Sequence, residues 1–351
     1  MLMKPLIIGN LKAKLPIIQG GMGVGISRSN LAGAVALEGG MGIISTAQIG
    51  YDEEGFDKNP IETNLKAIVK HLKRAKEIAK NGIVGVNIMV ATKQYDRYVK
   101  AAIEGKADVI ISGAGLPINL PELVKGSVSK IAPIVSSVKS ASVILKMWDR
   151  KYKRTADFLV IEGPKAGGHL GFHNDQLDDI ETLNYDEEIK NIIEYKKSFE
   201  EKYNQKIPVI VAGGIFDRND IVHALELGAD GVQIGTRFVT TEECDACMEY
   251  KQAYINCKEE DIKIIKSPVG MPGRAIWNEF LEKVANEGCN IKKCFNCLEH
   301  CNPKEVPYCI TKALTNAVEG NLKEGLIFCG SNAYRLDRMT TVHELMKELT
   351  V

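Results

Sequence analysis

Through residue 235 the chain alternates short apolar runs with longer amphipathic stretches. Eight runs have the length and β-branched content of strands: 16–19, 42–45, 83–88, 108–112, 131–136, 157–162, 207–212 and 230–235. Runs such as Phe158-Leu159-Val160-Ile161 and Val209-Ile210-Val211 are apolar at consecutive positions rather than at every second one. That pattern suits a strand covered on both faces, as in a parallel sheet flanked by helices. Between the runs, 29–38, 60–80, 94–104, 121–128, 141–148, 185–203 and 217–227 read as helices. In 60–80, for example, Ile61, Leu65, Ile68, Val69, Leu72 and Ile78 recur at helical spacing. Ser29 and Asp217 stand where N-caps belong, and Gly39 and Gly228 where helices stop. Strictly alternating strand and helix predict βαβ units and an α/β fold, specifically a (β/α)8 TIM barrel. In such a barrel the C-terminal strand ends share one face, so the residues just after each run are the candidates for chemistry.

The pattern changes after residue 240. The segment 240–273 falls where a closing helix is expected, and 274–286 and 304–319 look helical. All nine cysteines lie beyond residue 243. These features divide the chain into a barrel, 1–240, and a lid segment with a mostly helical, Cys-rich C-terminal region, 241–351. A second irregular stretch, 163–183, is longer than an ordinary connection and is a candidate cover for the site.

Charge narrows the partners. Forty-five basic residues balance 45 acidic ones, which gives no reason to expect nucleic acid or an anionic membrane as partner. No run reaches the length of a membrane span, and the N-terminal apolar stretch is too short for a secretory signal, so a cytoplasmic location is expected. The partner class is a small molecule, with a homodimer as the default assembly.

The glycine-bearing strand ends form two groups. After the seventh and eighth runs come Gly213-Gly214 and Gln233-Ile234-Gly235-Thr236. Barrels often hold a phosphate between these two loops on main-chain N–H groups, although such glycines can also serve only as turns. After the first run, Gly21-Met22-Gly23 can lie against a planar ring, and Asn87 at the end of the third run can pair with a heterocycle's edge. After the sixth run comes Glu162-Gly163-Pro164-Lys165-Ala166-Gly167-Gly168-His169. His169 is the one histidine inside a glycine-rich loop at a strand end, and imidazole can exchange a proton near neutrality. His173 is a weaker candidate. The remaining four histidines fall in helical or tail patterns and read as surface or packing residues.

The cysteine spacing is a separate signal. Cys294-x2-Cys297-x3-Cys301-x7-Cys309 gathers four thiols, enough to enclose a [4Fe-4S] cluster or a zinc ion, and Lys292 and Lys293 can favour thiolates. Reduced cysteines in a helical tail remain the plainer alternative.

In order, the motifs QGGMG, EGPKAGGHLG, VAGGI and QIGTRF resemble those of the nitronate monooxygenase family, formerly called 2-nitropropane dioxygenases, and of the related flavin-dependent enoyl-ACP reductases. The resemblance spans residues 10–240. It implies FMN, with its phosphate at Gly214 and 233–236 and its ring near Gly21, Met22 and Asn87, Glu162 and Gly167 adding contacts. It also implies His169 as the base that takes a proton from a nitroalkane or as a group beside the reacting carbon, and a product pair of carbonyl compound and nitrite. Two positions depart from the monooxygenase pattern: Glu162 stands where Gln is usual, as in the enoyl reductases, and Lys165 where both groups carry an acid. An NAD(P)H-dependent enoyl-ACP or quinone reductase therefore remains an alternative. A non-enzymatic flavin redox sensor is a third reading.

Overall fold

The structure is a computed structural model that describes residues 3–288 and 291–351; Cys289 lies outside the described residues. Its strands, numbered along the chain, are β1 (Leu6–Ile8), β2 (Leu11–Ala13), β3 (Ile17–Gln19), β4 (Met41–Ser45), β5 (Ile83–Met89), β6 (Val109–Gly113), β7 (Lys130–Val135), β8 (Leu159–Glu162), β9 (Gly168–His169), β10 (Val209–Ala212), β11 (Gly231–Ile234), β12 (Ile262–Lys266) and β13 (Pro272–Ile276). Eight of them close a barrel in the order β3-β4-β5-β6-β7-β8-β10-β11, with β11 returning to β3, all parallel. These are the eight apolar runs. Every residue of β3, β4, β6 and β10 is buried, because barrel-interior side chains pack inside and helices pack outside.

The hairpin β1–β2 is not among the expected elements. It turns at Gly9, whose φ is +58°, and Leu6, Ile8 and Ala13 join the barrel-interior cluster with Ile18, Met41, Ile43 and Ile210. The barrel helices include Pro60–Ala79, Tyr95–Glu104, Val138–Tyr152 and Tyr185–Tyr203, close to their predicted spans, while the fourth shrinks to Leu120–Leu123. Asp217 caps Arg218–Glu226 as expected, accepting from Asn219 N and Asp220 N. Ser29 does not cap its helix. It is the first residue of Ser29–Leu37, and the orphan N–H groups there are met by Asp245, which accepts from Arg28 N, Asn30 N and Leu31 N. Ser29 Oγ is instead paired with His71 Nδ1.

Beyond residue 240 the expectation of helix from 274 is corrected. Residues 272–276 are β13, which pairs with β12, and helix begins only at Glu279, capped by Asn278 accepting from Leu281 N. β13 also pairs with β9, so the loop after β8 and the C-terminal region share an antiparallel three-stranded sheet. The last helix, Val342–Thr350, packs between Ser29–Leu37 and Arg218–Glu226, the place of a barrel's eighth helix. Arg237 anchors it: its guanidinium pairs with Glu348 at 2.8 Å and lies over the Phe216 ring. No helix among the described residues is long and apolar enough to cross a membrane.

Candidate active site

The C-terminal ends of the barrel strands open into a cavity of about 440 Å³, within the size range of cofactor and substrate sites. It collects residues far apart in sequence: Gly21, Met22 and Gly23 after β3; Asn87 on β5; Glu162 ending β8; Gly167, Gly168 and His169 in the following loop; Gly213 and Gly214 after β10; and Gln233, Gly235 and Thr236 around the end of β11. Ile234 differs from its neighbours. Its side chain is buried in the core, and its carbonyl accepts from Gly20 N.

At one end of the cavity are the two glycine loops. Gly213 and Gly214 have φ values of +92° and +88°, which only glycine adopts without strain. Gly235 precedes the four-residue helix Thr236–Val239, whose first N–H groups have no partner within so short a helix. A third segment, absent from the sequence expectations, closes this end. Asn332 Nδ2 donates to Gly214 O at 2.7 Å, Gly330 N donates to Thr236 Oγ at 3.1 Å, and Ser331 N donates to Lys165 O. The polar Gly330-Ser331-Asn332 triplet after an apolar run was the available signal. Its partner loops lie 94 to 166 residues upstream, so sequence alone could not place it.

Along the middle, close packing explains two glycines. A Cβ on Gly21 would lie 2.6 Å from Asn87 Cβ, and one on Gly167 would lie 2.6 Å from the Cys329 carbonyl carbon. Gln233 Oε1 is buried here without a hydrogen-bond partner. A buried acceptor of that kind is costly unless a ligand supplies an N–H or O–H.

Val269, Met271, Leu314 and Phe328 give the lining an apolar share, and His169 lines the same cavity. His169 Nε2 is 2.7 Å from Oγ of Ser267, which is buried at the end of the β12–β13 hairpin. The ring packs edge-on to Phe328. It keeps one side toward the cavity, yet burial pushes its pKa down to about 4, so it is neutral near pH 7. Burial acts in the other direction on Glu162, pushing its carboxyl up to about 7. Tyr185 OH steadies that strand end by donating to Glu162 O and Ser136 O. Arg274, itself buried, donates to Pro164 O and Ala166 O and holds the loop that carries His169. Lys165 turns to Glu181 at 3.0 Å. His173 is exposed and does not line the cavity, and His223 and His343 pair with Asp186 and Glu38 at the surface.

Of the four spaced cysteines, Cys297 lines the cavity and Cys294 is exposed. Among the described residues no three His, Cys, Asp or Glu side chains converge at metal-ligating separation.

Comparison with known proteins agrees with this geometry. A family model described as nitronate monooxygenase matches residues 4–351. A probable nitronate monooxygenase of Staphylococcus aureus strain JH9 is 26% identical over 304 residues, covering 78% of this chain and 79% of that protein. Among solved structures, FabK from Thermotoga maritima superposes with a TM-score of 0.69 at 26% identity, covering 96% of this chain and 92% of that one. A nitroalkane oxidase from Streptomyces ansochromogenes has a TM-score of 0.70 at 20% identity, covering 96% and 95%, and supports the fold.

Proposed function

The chain belongs to the nitronate monooxygenase family, and we propose that it is an FMN-dependent oxidoreductase that converts alkyl nitronates to a carbonyl compound and nitrite. The observation that carries this reading is His169, kept neutral near pH 7 by burial, lining one cavity together with apolar side chains and the glycine loops after β10 and β11. The residues present fit FMN. The Gly213–Gly214 loop, Gly235 and Thr236 suit its phosphate, Gln233 Oε1 suits a ribityl hydroxyl or ring N–H, and Gly21, packed on Asn87, lines the cavity with Met22 where the ring would lie. When bound, FMN supplies the electron chemistry of the reaction.

The protein's own residues manage the proton. Ser267 Oγ accepts from Val269 N, and it accepts equally from a protonated Nε2 of His169. That pairing leaves Nδ1 as the nitrogen with a lone pair for the carbon-bound proton of a neutral nitroalkane. Burial makes an isolated imidazolium costly, so the proton is best taken when the substrate becomes an anion beside it. The apolar wall excludes water from that ion pair.

One observation favours a second reading. Glu162, protonated up to about pH 7, is an available acid, which suits an NAD(P)H-dependent enoyl thioester or quinone reductase that must protonate its product. Two experiments separate these. Purified protein should show a flavin spectrum, bleached anaerobically by nitronate and not by NADH; rapid bleaching by NADH alone would select the reductase. His169→Ala should lower kcat/KM for a neutral nitroalkane roughly 10²–10⁴-fold and spare a preformed nitronate. Equal loss on both substrates would remove the base assignment.

A further inference from the structure

We propose that Lys165 supplies the counter-charge for a phosphate monoester held on the Gly213–Gly214 loop, and that its ammonium leaves Glu181 to do so. The proposal rests on the FMN reading above, and it names the side chain that would tell FMN from a flavin without phosphate. A phosphate monoester carries close to two negative charges near pH 7, whereas the donors described so far at these loops are neutral. They are main-chain N–H groups and the Thr236 hydroxyl, whose oxygen accepts from Gly330 N at 3.1 Å and whose own O–H is left to donate.

Two arginines near these loops are already committed. Arg237 is buried, donates to Phe216 O at 2.9 Å and pairs with Glu348 at 2.8 Å. Arg335 pairs with Asp217 at 2.8 Å, and both guanidinium groups lie over the Phe216 ring. Neither lines the cavity, but Lys165 does, and among the described lining residues it is the one lysine or arginine. Its stem runs along the glycine loop: a Cβ on Gly214 would lie 2.8 Å from Lys165 Cβ and 3.3 Å from its Cδ. Its backbone is fixed. Lys165 O accepts from Ser331 N and Ser331 Oγ, each at 3.2 Å, and Arg274 holds the carbonyls of Pro164 and Ala166 on either side. The ammonium has a replaceable partner. It pairs with Glu181 Oε1 at 3.0 Å, and that side chain is 84% exposed on the short turn Ile180–Leu183, none of whose residues is buried. An exposed pair of this kind contributes little to the fold. A dianion cradled by N–H groups and partly removed from water attracts the same ammonium more strongly than a solvated carboxylate does.

The test follows flavin fluorescence while the full-length protein, its flavin dialysed out, is titrated with FMN and in parallel with riboflavin, which lacks the phosphate. Lys165→Met should weaken FMN binding roughly ten-fold or more and leave riboflavin binding unchanged. Lys165→Arg should recover most of the loss, and the gap between Lys165→Met and the wild type should narrow as salt is raised. Glu181→Gln, which frees the ammonium, should tighten FMN roughly two- to five-fold. Because Lys165 and Glu181 are both substantially exposed, the variants should fold, and the riboflavin titration checks this directly. Equal FMN affinity in the wild type and Lys165→Met, or riboflavin weakened as much as FMN, would overturn the assignment while leaving the FMN reading intact. Weaker FMN binding in Glu181→Gln would overturn the exchange of partners. A wild-type protein that takes up neither flavin would end the FMN reading and this proposal with it.

Discussion

Two residues on the same rim, His169 and Glu162, have their protonation pushed apart by one cause. Burial holds the imidazole neutral down to about pH 4 and holds the carboxyl protonated up to about pH 7. If proton removal needs neutral His169, kcat/KM for a neutral nitroalkane should fall only as pH drops through about 4. Any limb near pH 7 then belongs to Glu162. Glu162→Gln, which restores the residue usual in nitronate monooxygenases, should abolish that limb and leave the acid one. A pH–rate profile of the variant that keeps the limb near 7 assigns it elsewhere. The same substitution has a stability signature. Because the native pKa is raised, the unfolded chain releases its proton first, so stability declines as pH rises from the ordinary carboxylate range through about 7. In Glu162→Gln that part of the decline should disappear from the Tm against pH curve. Both residues were legible in the sequence, since each sits at a strand end beside glycines. The direction of their shifts was not, because it depends on walls supplied by residues 254–332.

The three-stranded sheet of β9, β12 and β13 is the element that turns a rim into an active site. It was illegible because β9 has only two residues and Arg274–Ile276 continue smoothly into a helical pattern. Pairing of Gly273 with His169 and of Arg274 with Gly168 fixes the assignment, and that partner lies about a hundred residues upstream. Ser267 reaches His169 only through this sheet. A positioning role for it predicts a specific loss. Ser267→Ala should lower kcat for a neutral nitroalkane roughly five- to ten-fold, the rate equivalent of one hydrogen bond worth about 1 kcal/mol. KM and turnover of a preformed nitronate should change little, and Ser267→Thr should recover part of the loss. Equal loss on both substrates would mean that the serine supports the sheet and not the imidazole.

At the scale of the whole molecule, the eight strands were legible because their residues are apolar on both faces, a requirement set by the barrel itself. The closing helix was not, because a barrel normally supplies it directly after the last strand. Here about a hundred residues intervene between β11 and Val342–Thr350. Those residues form the cavity's upper walls, so the chain completes its site before it completes its barrel. This order couples site and scaffold. The final helix buries Val342, Leu345, Met346 and Leu349, each at 2% exposure or less, and its Glu348 holds Arg237 in the turn that begins at Gly235. Removing Leu345 should therefore cost about 2–5 kcal/mol, a large share of the roughly 5–15 kcal/mol that keeps a domain folded. Leu345→Ala is expected to unfold at lower temperature and to release the proposed FMN along the same transition, followed by circular dichroism and flavin fluorescence together. Glu348→Gln, which leaves the core intact, should weaken retention of the proposed FMN with a much smaller change in Tm. A Leu345→Ala protein that loses its helical signal while keeping flavin bound would show that the barrel holds its ligand without the returning helix, and the proposed coupling would fail.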